Sequence, residues 1–505
     1  MLGCCSRGSL LPLPRTCKPS LGNSFRAPSS SLLAPAQRHS HSQSPSTPRS
    51  APLNTLSVEQ KDILARALKG ENVFVTGPSG SGKSYLLKII AEQLKARKRP
   101  HLLTGGTPLS AFDIGGALLD SFTEGQTAGE LETLQNRRRK DPASIKYRAK
   151  WQRIETIIID DISRIDASLF DGLDKISRKM KNQKGWFGGI QIIASGDFFQ
   201  LPPESVDIPA PDYAFNAAGW EPTFSTNQIE LSQVFSQSEP EFVNMINQAR
   251  IGQISPESAK LLSSLARPVS SPSIELCPLH VQAGMLTSSH LESLPGNTVQ
   301  FWARDQKEMV EDKGVSRKLS VRDKEAYECV APEVLRLKVG AQVICIQNLQ
   351  HGRINIPKLA LGTVTSFSTP GKATKLGSPY SWQDHRSNRV WPVVQFENGE
   401  KVMVVPVQFK FGGLNRIMDD MGSRTQVPLR LAAAGLLDEF PTSSCISRVK
   451  IDLAKRFPRG LAYTALSRAK HLDGLEVLNY APGSLSPPER VISWYRKQPW
   501  ARFLG

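Results

Sequence analysis

The sequence predicts an α/β protein built on buried parallel sheets. Three stretches carry the prediction: "NVFVTG" (72–77), "TIIIDD" (156–161) and "IQIIASGD" (190–197). Each is short, rich in β-branched residues and free of polar alternation, as strands covered on both faces are. Each also ends in glycine or in carboxylates, where an open α/β sheet gathers its functional groups. At 505 residues, 39% hydrophobic and 22% charged, the chain has room for two or three domains. No apolar stretch reaches the length of a membrane span.

The net charge is +17, and six of those charges lie in residues 1–58, which hold no acid before Glu59. An Arg- and Ser-rich, acid-free N-terminus reads as a mitochondrial transit peptide, and an ordinary disordered basic tail has the same composition. The remaining excess suggests a polyanionic partner. The seven cysteines form no C-x-x-C pair, so neither a disulfide framework nor a zinc site is expected.

The first strand leads into "GPSGSGKS": Gly77, Pro78, Ser79, Gly80, Ser81, Gly82, Lys83 and Ser84, followed by a helix with Leu86, Ile90 and Leu94 on one face. In G-x-x-x-x-G-K-[ST] the backbone N–H groups and the helix N-terminus cradle phosphate oxygens. Lysine neutralises them, and the last hydroxyl is suited to Mg²⁺. Two acids at the end of a neighbouring strand then have a purpose. Asp160 is expected in the Mg²⁺ shell, with Asp161 orienting an attacking water, although Asp161 would also serve as a helix cap. Gln200, after the third strand, is placed to sense the terminal phosphate. Arg468, far along the chain in "AYTALSRA", is placed to enter the site as an arginine finger. Phe112, Phe122, Phe198 and Phe199 are candidates for base stacking as well as for the core, and the basic run 136–153 for tracking phosphates as well as for a solvated loop. Residues 334–410 read as short strands separated by Gly, Pro and Asn, with "ENGE" as a hairpin turn.

Together "LSVEQKDIL", the phosphate loop, "TGGTPLSAFDIGGALLDSF", "GDFFQLPP", "LSQVFSQSEPEFVNMINQARIG" and "AYTALSRA" resemble, in this order, the petite-integration-frequency (Pif) family of superfamily-one, RecD-like DNA helicases. The resemblance implies two RecA-like P-loop NTPase lobes, 55–225 and 226–333 with 411–480, and a small SH3-like β-barrel at 334–410. A disordered tail (1–54) and a C-terminal tail (481–505) flank them. It implies ATP and Mg²⁺ as cofactors, Gln60 as reader of adenine, and 5′-to-3′ translocation on single-stranded and forked DNA in genome maintenance. A monomer with no membrane association is expected, in the mitochondrion with the nucleus as a second compartment.

The sequence departs from the family at Asp161, where the family has glutamate, at Ser236, where it has an arginine, and at Asp120 and Pro108 in the DNA-gripping segment. At 433–447, "AAGLLDEFPTSSCIS" replaces the histidine-lysine-serine-glutamine-glycine block that couples DNA to ATP. The alternative in keeping with these departures is a degenerate relative that binds nucleotide and DNA with weak or no coupled unwinding.

Overall fold

The computed structural model describes residues 55–120, 148–149, 151–203, 212–307, 321–351, 354–372, 389–415, 420–441, 444–455, 457 and 460–501. The expected N-terminal tail, Phe122 and most of the basic run 136–153 lie outside them. Among the described residues no helix is long and apolar enough to cross a membrane.

Helix α1 (Val58–Lys69) starts at a capping box in which Ser57 and Gln60 satisfy each other's backbone N–H, and it stops at Gly70 in the left-handed region. It packs on α2 (Lys83–Ala96), whose Leu86, Leu87, Ile90 and Leu94 are buried as their spacing predicts. Behind them stands a six-stranded sheet of β1 (Val73–Thr76), β2 (His101–Gly105), β3 (Ala117–Leu118), β4 (Thr156–Asp160), β5 (Gln191–Ser195) and β6 (Gln228–Glu230). Its order is β3-β2-β4-β5-β1-β6 and every pairing is parallel. β1, β4 and β5 are buried along their whole length. Because β4, β5 and β1 are adjacent, the phosphate loop, the two aspartates and the "SGDFFQ" turn leave the sheet side by side.

A second sheet is also parallel. It comprises β7 (Ile274–Cys277), β8 (Ala434–Leu436), β9 (Val449–Asp452) and β10 (Leu475–Leu478), in the order β8-β7-β9-β10. The strands that intervene in the chain between β7 and β8, within residues 299–431, pair antiparallel. A five-stranded sheet contains Gln342–Cys345, Leu361–Ser368, Trp391–Phe396, Lys401–Met403 and Leu429–Leu431, and the expected turn at Glu397–Glu400 joins two of them. The pairing extends past 334–410. Val299–Trp302 pairs with Val334–Leu337, and Arg304–Lys307 joins a sheet with Val407–Asn415 and Asp420–Gln426. Sequence windows miss such short strands because a distant partner, not local alternation, defines them.

Packing decides one reading that the sequence left open and corrects another. Phe198 and Phe199 are 0% and 1% exposed, so they belong to the core and are not free to stack on bases. Residues 481–505 are no tail as far as residue 501. Helix α5 (Glu489–Arg496) lays Trp494 on Phe215 with ring centroids 4.6 Å apart, and Tyr495 on Phe199, also at 4.6 Å. An amphipathic helix this short gains its stability from such packing rather than from its own propensity. Phe112 is half-buried against Phe409 and Phe411. We expect Trp494→Ala to cost about 3 kcal/mol, as large aromatic truncations do; a denaturant titration that finds less than about 1 kcal/mol would show that α5 is dispensable to the first sheet's core.

Candidate nucleotide site

The loop between β1 and α2 turns on three glycines with positive φ: Gly77 at 139°, Gly80 at 76° and Gly82 at 80°. At Gly80 a side chain would be strained by the positive φ and would displace Ser236, whose Oγ and Cβ lie 1.6 and 2.7 Å from where a Cβ would stand. Lys83 Nζ donates to the carbonyls of Gly77 and Pro78, both at 2.9 Å. Ser81 Oγ is buried without a hydrogen-bond partner among the described residues. A cradle of backbone amides, a half-buried ammonium and a hydroxyl left to be satisfied fit a polyphosphate. Burial pushes the Lys83 pKa down, opposed first by the negative charge of Asp197.

Asp160 accepts from Ser195 Oγ at 2.7 Å, and Ser84 also donates to it; burial nevertheless raises its pKa. The Ser84 hydroxyl and Asp160 carboxylate are thus adjacent hard oxygen donors of the kind Mg²⁺ takes. Asp161 sits in the left-handed region at φ 60°, ψ 47°, and accepts from Ser163 Oγ at 3.1 Å. Burial and the neighbouring charge of Asp160 push its pKa up to about 6. A pocket of about 240 Å³ is lined by Lys83, Ser84, Asp160, Asp161, Gln200 and Ser236, among others.

Two predicted residues stand differently. Gln60 is 2% exposed with both ends of its amide engaged: Nε2 donates to the Ser81 carbonyl and Oε1 accepts from the Ser57 amide. In this state it braces the phosphate loop. Arg468 is fully buried beside the pocket and does not line it. Its Nη1 donates to the Pro441 carbonyl, while Nε and Nη2 have no partner among the described residues. Burial lowers its pKa to about 10, against the attraction of the Cys445 and Asp161 charges.

Sequence reasoning missed the network behind the pocket. Asp197 accepts from Arg250 of helix α3 (Pro240–Ile251) at 3.0–3.2 Å and from Tyr463 Oη at 3.0 Å. Arg250 also donates to Glu230 at 3.1 Å, and Tyr463 Oη accepts from the Ser79 amide of the phosphate loop at 2.9 Å. Arg250 and Tyr463 both lie in stretches that the motif reading singled out. Their partners are 53 and 266 residues away, and no local pattern marks such pairs.

A glycine cradle opening a helix beside two strand-end carboxylates defines a P-loop nucleotide-binding protein with parallel α/β sheets. Comparison narrows the class. A sequence model of the PIF1-like helicase family matches residues 55–260. ATP-dependent DNA helicase PIF1 of Emericella nidulans is 32% identical over 506 residues, covering 92% of this chain and 66% of that protein. The crystal structure of Pif1 helicase from Candida albicans matches 87% of this chain and 99% of its own at 31% identity and a TM-score of 0.65. Bacteroides Pif1 bound to single-stranded DNA shares the fold at 24% identity over 87% of this chain and 96% of its own, with a TM-score of 0.55. The chain belongs to the PIF1-like helicase family. It spans just under two thirds of the length of the Emericella relative.

Lys83→Ala is expected to abolish nucleotide hydrolysis, because nothing else in the cradle carries a positive charge to the phosphates; substantial turnover by a contaminant-free preparation would overturn the assignment. The carboxylate of Asp161 is present above about pH 6 and lost below it. The pH profile of kcat should therefore fall on the acid side with an apparent pKa near 6, and a flat profile down to pH 5 would remove Asp161 from the reaction.

Proposed function

We propose that this chain is an ATP-dependent DNA helicase moving 5′-to-3′ on single-stranded DNA, with two RecA-like lobes and an SH3-like β-barrel in the second. One observation carries the reading: the phosphate loop, the Asp160–Asp161 pair and Gln200 share one pocket, and Tyr463 and Arg468 of the far segment are buried against it. The cradle residues 77–84 would hold the phosphates of ATP, and Ser84 with Asp160 a Mg²⁺ ion, which when bound supplies charge stabilisation to the transferring phosphoryl group. Asp161 holds the proton-accepting oxygen, Gln200 offers an amide at the pocket wall, and Arg468 brings two nitrogens, Nε and Nη2, that have no partner among the described residues. In-line transfer needs little else from a protein than such positioning and charge. Opening and closing of the cleft between the lobes would convert hydrolysis into steps.

For DNA, a cleft of about 730 Å³ runs past Thr107 and Pro108, at the start of the DNA-gripping segment, and past Arg164, Arg336 and Arg430. The forked and single-stranded DNA bound by solved relatives supports DNA as the partner. A second reading, a degenerate relative with poor coupling, draws on the stretch 433–447. It is folded into the second sheet as β8 and a turn at Leu437–Glu439, with Phe440 in the core. It puts Asp438 and Glu439 on the cleft wall, and Glu439 pairs with Arg430 at 2.7 Å. No Lys, Arg or His lies between Arg430 and Arg448 to replace the lost cation. Our reading is therefore a helicase whose DNA stimulation is weaker than that of relatives retaining the block.

ATPase assays of the full chain with and without oligothymidylate, and strand displacement on 5′-tailed against 3′-tailed forks, decide between the readings. Stimulation with unwinding of the 5′-tailed fork supports the helicase. Nucleotide binding without stimulation leaves the degenerate relative. We further propose that residues 1–58 direct the chain to mitochondria, and a reporter fused to them that stays cytosolic or nuclear would refute this.

A further inference from the structure

Helix α4 (Leu461–Leu466) is too short to hold its own position. Three contacts fix it against the first sheet. Its N-cap Gly460 sits at φ 85°, where a side chain is strained, and packs closely enough that a Cβ would lie 3.0 Å from the Phe199 carbonyl. Tyr463, 1% exposed, is pinned by two hydrogen bonds, donating to Asp197 and accepting from the Ser79 amide. The Ser467 carbonyl accepts from Gln237 at 3.1 Å. Arg468 leaves this same segment five residues after Tyr463, with Asp161 among the charges it faces.

We infer that Tyr463 is a positioning residue: its hydroxyl is a strut between the phosphate loop and α4 that sets the depth at which Arg468 reaches the transferring phosphoryl group. The direction of both hydrogen bonds follows from chemistry. The Ser79 N–H can only donate, and the Asp197 carboxylate, already held by Arg250, can only accept. The hydroxyl is therefore locked with its proton toward Asp197, and its distance to the loop has no slack. Arg468 has the complementary property: one nitrogen is tied to Pro441 and two have no partner among the described residues, so small displacements of its backbone decide what those two meet. Phosphoryl transfer penalises an ångström-scale error in such a group about a hundredfold. The strut thus passes the state of the phosphate loop to the arginine without any contact between Tyr463 and substrate.

This rests on the reading that the pocket hydrolyses ATP, and the test separates the two. With the full chain and saturating oligothymidylate, kcat and KM for ATP are measured for wild type, Tyr463→Phe, Arg468→Ala and the double variant. Tyr463→Phe, which keeps the buried ring, is expected to lower kcat about tenfold with KM within about threefold. In the Arg468→Ala background the same change is expected to cost less than about twofold, because no arginine is left to aim. Equal losses in both backgrounds, or a raised KM with unchanged kcat, overturn the strut. A wild type that hydrolyses no ATP brings down the ATPase reading alone, and binding then judges the strut. Fluorescent ADP should bind wild type more tightly when aluminium fluoride is added, and Tyr463→Phe should lose that tightening while keeping its affinity for ADP. No tightening in the wild type, or equal tightening in both, overturns the proposal.

Discussion

The carboxylate of Asp197 is the point on which the other parts of the site depend. It lies at the end of β5, its side chain is fully buried, and it holds the guanidinium of Arg250 and the hydroxyl of Tyr463 while facing Lys83. It also accepts from the amide of Phe199, which shapes the turn that carries Gln200. Arg250 in turn lies over the ring of Phe199 at 4.7 Å and that of Tyr495 at 5.5 Å. One negative charge therefore gathers β5, the phosphate loop, α3, α4 and α5. A buried charge pair of this kind adds little net stability over an apolar substitute, but losing one partner strands the other at a cost of about 3–5 kcal/mol. Its value lies in specifying a single arrangement of segments that are remote in sequence.

The acidic pair shows how the fold converts strand ends into chemistry. β4 is invisible to solvent along its whole length, and its last residue, Asp160, is fixed by Ser195 from the next strand. The chain then turns sharply. A non-glycine residue in the left-handed region costs about 1–2 kcal/mol, and Asp161 takes that conformation with the backbone of Gly106 packed against its carbonyl. The strain re-aims the second carboxylate into the pocket instead of along the sheet. Burial then raises the proton affinity of both acids and lowers that of Lys83, so these charges are held in an environment that disfavours them. A phosphate group would favour the charged form of Lys83, and a divalent cation those of the two carboxylates, in the manner of a preorganised electrostatic site.

How much of this was legible in the sequence depended on whether the cause was local. The phosphate loop is written in glycine spacing, because φ > 0 at Gly77, Gly80 and Gly82 leaves few alternatives. The strand-end aspartates were legible because Ile157, Ile158 and Ile159 mark a strand buried on both faces. Family wording located Arg468, although not the carbonyl of Pro441 that holds it. Phe198 and Phe199 show the opposite case. Aromatic residues beside a nucleotide turn look the same whether they stack on a base or on Trp494 and Tyr495, and the deciding partners lie in a helix of eight residues with no sequence signature of its destination. The tie between Glu439 and Arg430 was equally hidden, since it depends on β8 joining the second sheet.

The packing of α5 on the first sheet makes the fold depend on the order of synthesis. Phe198, Phe215 and Trp220 belong to the aromatic cluster that Trp494 completes, yet they leave the ribosome long before it. At synthesis rates of roughly 5–20 residues per second, the roughly 270 residues separating Phe224 from Tyr495 take on the order of 15–55 s to appear. Throughout that interval a nucleotide-binding lobe with its β-strands already made presents an unfinished apolar face. Until α5 docks, a nascent chain of this fold carries uncovered aromatic surface of the kind that makes incompletely folded species prone to aggregate.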